Sequence, residues 1–231
     1  MKIPPKHPAI LEGRTVFKNS IKTPTVKMLK PGSNNSKLGF IITKGKWKGC
    51  PIYSLTLEER KTCPSYCIFW QTCYGSNLYL AHRFDHTHKD FLINLEQNVK
   101  ALSEKYPNGF VVRLHVLGDF YSVDYVNWWG KMLHSYPQLL IFGYTAYKHG
   151  PIYRAIRKYS QRFSERFAIR ISGTNWKFST NRYSERDAPI IKGCQTKTGI
   201  VCPQELGMLK TCSECALCFS RKIPKVLFIE H

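Results

Sequence analysis

The sequence predicts an α/β protein: a partial parallel (β/α) barrel or sheet followed by a cysteine-rich metal-binding tail. Three observations predict it. Apolar runs of strand length alternate with amphipathic stretches of helix length, three cysteines follow the first strand directly, and four more crowd together beyond the last one.

In chain order, residues 1–36 read as a basic, irregular arm, because Pro4, Pro5, Pro8, Pro24 and Pro31 interrupt any helix and 31–36 has loop composition. The first strand is expected over 52–56. Phe84, Phe91, Leu92, Leu95, Val99 and Leu102 fall at helical spacing and predict a long amphipathic helix over 77–105, stopped by Pro107-Asn108-Gly109. A strand over 110–117 closes on Gly118-Asp119, and Ser122 with Asp124 suits the start of a helix running to about Tyr136. Leu139–Thr145 is the third strand, 151–162 a short basic helix and Phe167–Ser172 the fourth strand. This order implies parallel strands with right-handed crossovers. The core then spans 37–190 and the tail 191–231. In such folds ligands bind at the carboxyl ends of the strands, so the three-cysteine loop, Gly118-Asp119-Phe120, Tyr144-Thr145 and Ser172-Gly173 are expected along one rim.

The 231 residues hold 35 Lys and Arg against 15 Asp and Glu, a formal net charge of +20. Half of that excess lies in residues 1–50, where ten Lys and Arg14 face Glu12 alone. Such a field attracts polyanions, and in a chain with 13% aromatic residues it points to nucleic acid as the partner. A membrane is not expected: no basic amphipathic helix is visible, and no apolar run approaches the ~20 residues of a spanning helix. With 43% hydrophobic residues, wholesale disorder and fibrous repeats are excluded. The first residues lack the apolar centre of a signal peptide, so the chain reads as cytoplasmic with reduced thiols.

The tail carries Cys202, Cys212, Cys215 and Cys218, three of them at every third position. That spacing matches part of a bacterial ferredoxin run, and Cys202-Pro203 matches its remote Cys-Pro ligand, which favours a 4Fe-4S cluster. Zinc held by four thiolates is the rival for this site. Cys63, Cys67 and Cys73 form the other group and offer three ligands. A second 4Fe-4S cluster there either keeps one iron open or takes a distant fourth ligand, for which Cys194 and Cys50 are the candidates. Other signals are weaker. His82, His86 and His88 fit an exposed face better than a metal, Trp128, Trp129, Tyr121 and Tyr125 fit a core better than a base-stacking surface, and Asp119 is either a helix cap or a ligand.

Taken together, Ser36-Lys37-Leu38-Gly39, Thr62-Cys63-Pro64, Cys73-Tyr74, Arg113-Leu114-His115, Gly118-Asp119-Phe120-Tyr121-Ser122, Tyr144-Thr145 and the triple at 212–218 resemble the phage gene-product-88-like proteins, a family of unassigned activity. More distantly, a three-cysteine loop after the first strand is similar to that of radical S-adenosylmethionine enzymes, although their last cysteine spacing is x2 and here it is x5, with Thr72 where an aromatic is usual. The resemblance implies a phage-type iron–sulfur protein of the host cytoplasm, acting on or binding nucleic acid. As an enzyme it would hold its cluster on Cys63, Cys67 and Cys73, orient the amine of S-adenosylmethionine with Asp119, and line that cofactor with Gly118, Tyr144 and Thr145. As a non-catalytic protein it would use its clusters, or zinc, for structure or redox sensing.

Overall fold

The computed structural model describes residues 2–25, 27–174, 179–183, 189–220, 223 and 225–229. Ten strands are present among them: β1 (Ile21–Lys22), β2 (Lys30–Pro31), β3 (Ile52–Ser54), β4 (Arg83–Phe84), β5 (Phe110–Leu114), β6 (Leu139–Thr145), β7 (Phe167–Ser172), β8 (Ser179–Arg182), β9 (Ile200–Val201) and β10 (Lys225–Phe228). The helices are α1 (Pro8–Leu11), α2 (Phe91–Lys105), α3 (Val123–Ser135), α4 (Gly150–Arg162) and α5 (Cys212–Cys215).

Eight strands form one sheet in the order β2-β3-β5-β6-β7-β8-β10-β9, and β1 pairs separately with β4. Every pairing in the large sheet is parallel except β2 with β3. Because β3, β5, β6 and β7 are laid down side by side in one direction, right-handed crossovers place α2, α3 and α4 on the same face. The side-chain period of two confirms it. Phe110, Val112, Leu114, Leu139, Ile141, Phe167 and Ile169 pack with Leu95, Val99, Trp129 and Ile156 of the helices, whereas Val111, Leu140, Phe142 and Ala168 face a second core with Leu38, Ile42, Trp47 and Phe219. The expected mixed α/β architecture with a mostly parallel sheet is therefore present. The strands run as an open sheet ending at β2 and β9, which does not confirm a partial barrel, and the second face is covered by residues 38–50 and the tail.

Helix α3 starts where the sequence places it, with the Ser122 hydroxyl accepting from the Tyr125 N–H at 3.1 Å. The long helix expected from 77 starts only at Phe91. Phe84 belongs to β4 instead, where it pairs with the arm, and its helical spacing from Phe91 is coincidental. His82 and His86 are consequently not one helical turn apart; His86 lies against the Tyr121 ring at 4.5 Å. Tyr125 and Trp129 are core residues, as expected of aromatics at that spacing.

The described residues of the arm are packed against the body. Ile3, Ala9, Ile10, Met28 and Leu29 are buried, and the Ile3 N–H donates to Gln71 O. The tail is likewise built in: β10 inserts between β8 and β9, and α5 hydrogen-bonds through Cys212 and Ser213 to Lys37 and Leu38.

Helices α3 and α4 approach closely at Gly130, where a Cβ would lie 2.1 Å from the Tyr159 ring. Gly130→Ala is expected to destabilise by about 1–3 kcal/mol, outweighing the better helix propensity of alanine. Urea unfolding reads this, and an unchanged midpoint would show that Tyr159 swings aside freely.

Candidate metal centres

The first cysteine group lies on the carboxyl rim of the sheet. Its loop leaves β3 and is fastened to the end of β5 through Thr62, whose hydroxyl donates to Glu58 O at 2.8 Å and accepts from the Asp119 N–H at 3.0 Å. Gly118 has φ +83°, and a Cβ there would meet Thr62 Oγ1 at 2.6 Å and Leu57 Cβ at 2.8 Å, so only glycine allows this approach. The end of β7 closes on the same loop, with a Cβ at Gly173 2.7 Å from Ile68. Tyr66 stacks on His149 at 5.1 Å and meets Tyr147 edge-on. Four strand ends thus converge on Cys63, Cys67 and Cys73, where the alternation of strands and helices places a site.

Asp119 does not cap α3. Its carboxylate accepts from the N–H groups of Phe120 and Ala146, both at 2.7 Å, and so ties the end of β5 to that of β6. Burial pushes its pKa up to about 7, against the hydrogen bonds from Ala146, Phe120 and Thr145. Thr145 stands on this side of the sheet, its hydroxyl accepting from the Tyr147 N–H. Tyr144 does not. Its ring points to the opposite face, where its hydroxyl donates to Cys218 Sγ at 2.9 Å. The expected grouping of Gly118, Asp119, Tyr144 and Thr145 around one ligand is therefore divided by the pleat of β6.

The second group lies on the sheet face opposite the three helices. Cys212 is within electrostatic reach of Cys218, Cys202 and Cys215, and Cys215 within that of Cys194. Beneath them are two buried arginines. Arg113 lies over the rings of Tyr144 and Phe142 and opposes the rise in the Cys212 pKa. Arg170 reaches the carbonyls of Leu217, Cys218, Ser220 and Ile223.

Two features are common to both groups. Backbone N–H groups point at sulfur: Phe69 at Cys67, Gly75 at Cys73, Leu217 at Cys215, and Gln204 and Glu205 at Cys202, each working against the rise in thiol pKa that burial causes. Burial still leaves Cys73 and Cys202 pushed up to about 11, and Cys63 well above the ordinary thiol value with the Asp119, Cys67 and Cys73 charges adding to it. Second, among the described residues the non-glycine positions at positive φ are Arg60 (66°) and Ala216 (57°), one beside each group. Such backbone costs about 1–3 kcal/mol and persists where surrounding structure enforces it.

Neither candidate fourth ligand accompanies the first group. Cys50 precedes β3, at the opposite end of the sheet, with its Sγ 3.9 Å from Asn108 O and buried in the second core. Cys194 lies near Cys215 in the tail. Among the described residues no three His, Cys, Asp or Glu side chains are close enough to hold a single metal ion. A lone tetrahedral zinc would need sulfurs about 3.8 Å apart, given Zn–S bonds of about 2.3 Å.

The arginines gave no sequence signal, whereas the division of Tyr144 from Thr145 could have been read from the period of two. The family comparison bears on the segment that carries the first group. The family model described as Gene product 88 matches residues 26–175, nearly two thirds of the chain. The chain belongs to the gene product 88 family. That match bears out the resemblance to the phage family; it includes Cys63, Cys67, Cys73 and Asp119, while the tail cysteines lie beyond it. No curated protein and no solved structure matches the chain at a significant level. Among the described residues no helix is long and apolar enough to cross a membrane.

Proposed function

We propose that this gene product 88 protein is an iron–sulfur protein with two 4Fe-4S clusters and nucleic acid as its partner. One observation carries the reading: in both cysteine groups main-chain N–H groups are aimed at sulfur, an arrangement that favours thiolate over thiol and that tunes cluster-bound sulfur. Cys63, Cys67 and Cys73 would hold one cluster; Cys202, Cys212, Cys215 and Cys218 the other, with Cys194 as an additional neighbour. Bound there, the clusters would supply one-electron chemistry or redox sensing. Zinc held by four thiolates is the rival for the tail group. Nucleic acid enters through the +20 charge, whose phosphate contacts release counterions.

Protein purified without oxygen is expected to contain about eight iron and eight sulfide per chain, the content of two four-iron clusters. The Cys63→Ala/Cys67→Ala/Cys73→Ala variant should lose about half of each. Stoichiometric zinc without sulfide would overturn the reading and leave the zinc alternative.

The separation of Cys50 and Cys194 from the first group favours one further reading, an enzyme whose first cluster keeps an iron open for S-adenosylmethionine. Gly118, Asp119 and Thr145 adjoin that place, and Asp119 is already engaged by two backbone N–H groups. A reduced-cluster paramagnetic signal shifted by S-adenosylmethionine would support this reading. A signal indifferent to it would leave the non-catalytic one.

A further inference from the structure

Away from both cysteine groups, a cleft of about 510 Å³ opens between the arm and the segment after Cys73. Lys18, Ser20 and Lys22 stand in one wall above Phe17, and Tyr79, Leu80 and His82 in the other. None of these lining residues is acidic. Lys18, Lys22 and His82 are exposed, while Arg14 is paired with Glu12. Tyr79 is 67% exposed and Leu80 77%, unusual for large apolar side chains.

The two walls are joined by the β1–β4 pairing and by one buried side chain. Arg83 donates to Ser20 Oγ in one wall and to the carbonyls of Leu78 and Ala81 in the other, and its guanidinium lies 5.5 Å from the Phe17 ring in the floor. The walls are therefore positioned before any ligand arrives.

We propose that this cleft binds single-stranded nucleic acid, with a base stacked on Tyr79 and the adjoining phosphates facing Lys18 and Lys22. The proposal rests on the nucleic-acid reading above and gives it a location. A basic wall opposite an exposed aromatic ring is the arrangement that tracks a single strand without reading its sequence. A duplex offers phosphates but hides the faces of its bases, so it could use the lysines and not Tyr79.

The test is fluorescence anisotropy of the full-length, cluster-loaded protein with labelled oligothymidylate and with a duplex of the same length, over a range of salt. Tyr79→Ala should weaken single-strand binding at least about fivefold, leaving the salt slope and duplex binding unchanged. Lys18→Gln/Lys22→Gln should lower the slope of log affinity against log salt by about 1.4, the share of two single-strand phosphates. Both sites are exposed, so the variants should fold. Arg154→Gln/Lys158→Gln on α4 serves as the control and should leave single-strand affinity unchanged. Single-strand binding untouched by the cleft variants would overturn the cleft while sparing the general reading. Equal loss of duplex binding in Tyr79→Ala would overturn the single-strand assignment, and no binding of either probe at low salt would overturn both.

Discussion

Arg83→Met is expected to destabilise the protein by about 3–5 kcal/mol, the cost of breaking a buried ion pair by removing one partner. Arg83 is fully buried and makes six hydrogen bonds: two to Glu59 and one each to Ser20, Gly75, Leu78 and Ala81. Glu59 is buried as well, and it also accepts from the Thr15 hydroxyl at 2.8 Å. Removing the guanidinium would leave the buried Glu59 carboxylate with the Arg60 guanidinium, 4.0 Å away, as its other cation, and would take a donor from three carbonyls, of which Gly75 and Leu78 keep a backbone N–H. A typical domain is stable by only about 5–15 kcal/mol, so the loss would be a large fraction of the total. Adding Glu59→Gln should return part of it, because the buried carboxylate charge is then gone while the lost carbonyl contacts are not restored. Urea unfolding of the single and double variants measures both quantities. A loss below about 1 kcal/mol in Arg83→Met would mean that water reaches the site and the pair is not the joint between arm and cysteine loop.

That joint had no signature in the sequence, and the reason is physical. Strands β5, β6 and β7 were legible because runs such as Phe110–Leu114 and Leu139–Thr145 are buried on both faces and read as continuous apolar stretches. Helix α2 announced itself by period and α3 by the Ser122 cap. The arm has no period. Ile10, Met28 and Leu29 are buried by partners far along the chain, and a lone Arg83 in a polar stretch cannot be told from a surface residue until Glu59 is brought beside it. Strands β9 and β10 were missed for a similar reason: they are two and four residues long, and β10 enters the sheet out of sequence order. Cysteine spacing made both candidate sites legible as groups. It could not say that Cys50 lies at the wrong end of β3, or that the tail packs against the face opposite the helices.

Arg170→Met is expected to detach the tail from the sheet, at about 3–5 kcal/mol, while the first cysteine group keeps its arrangement. Arg170 is fully buried on β7, and its guanidinium gathers the carbonyls of Leu217 (3.3 Å), Cys218 (3.4 Å), Ser220 (2.8 Å) and Ile223 (3.0 Å). Each buried carbonyl left without a donor costs roughly 1–3 kcal/mol, less where the loosened tail admits water. Arg170→Lys is the graded variant: it keeps the charge but replaces a planar fork of five donors with a compact ammonium of three, which cannot serve four carbonyls. Limited proteolysis should therefore cut Arg170→Met rapidly after residue 200 and Arg170→Lys at an intermediate rate, with iron lost from the tail group in proportion and about four iron retained by Cys63, Cys67 and Cys73. A protease-resistant tail with full iron content in Arg170→Met would show that β9, β10 and the packing of Phe219 suffice to hold it, and that the arginine is not its clasp.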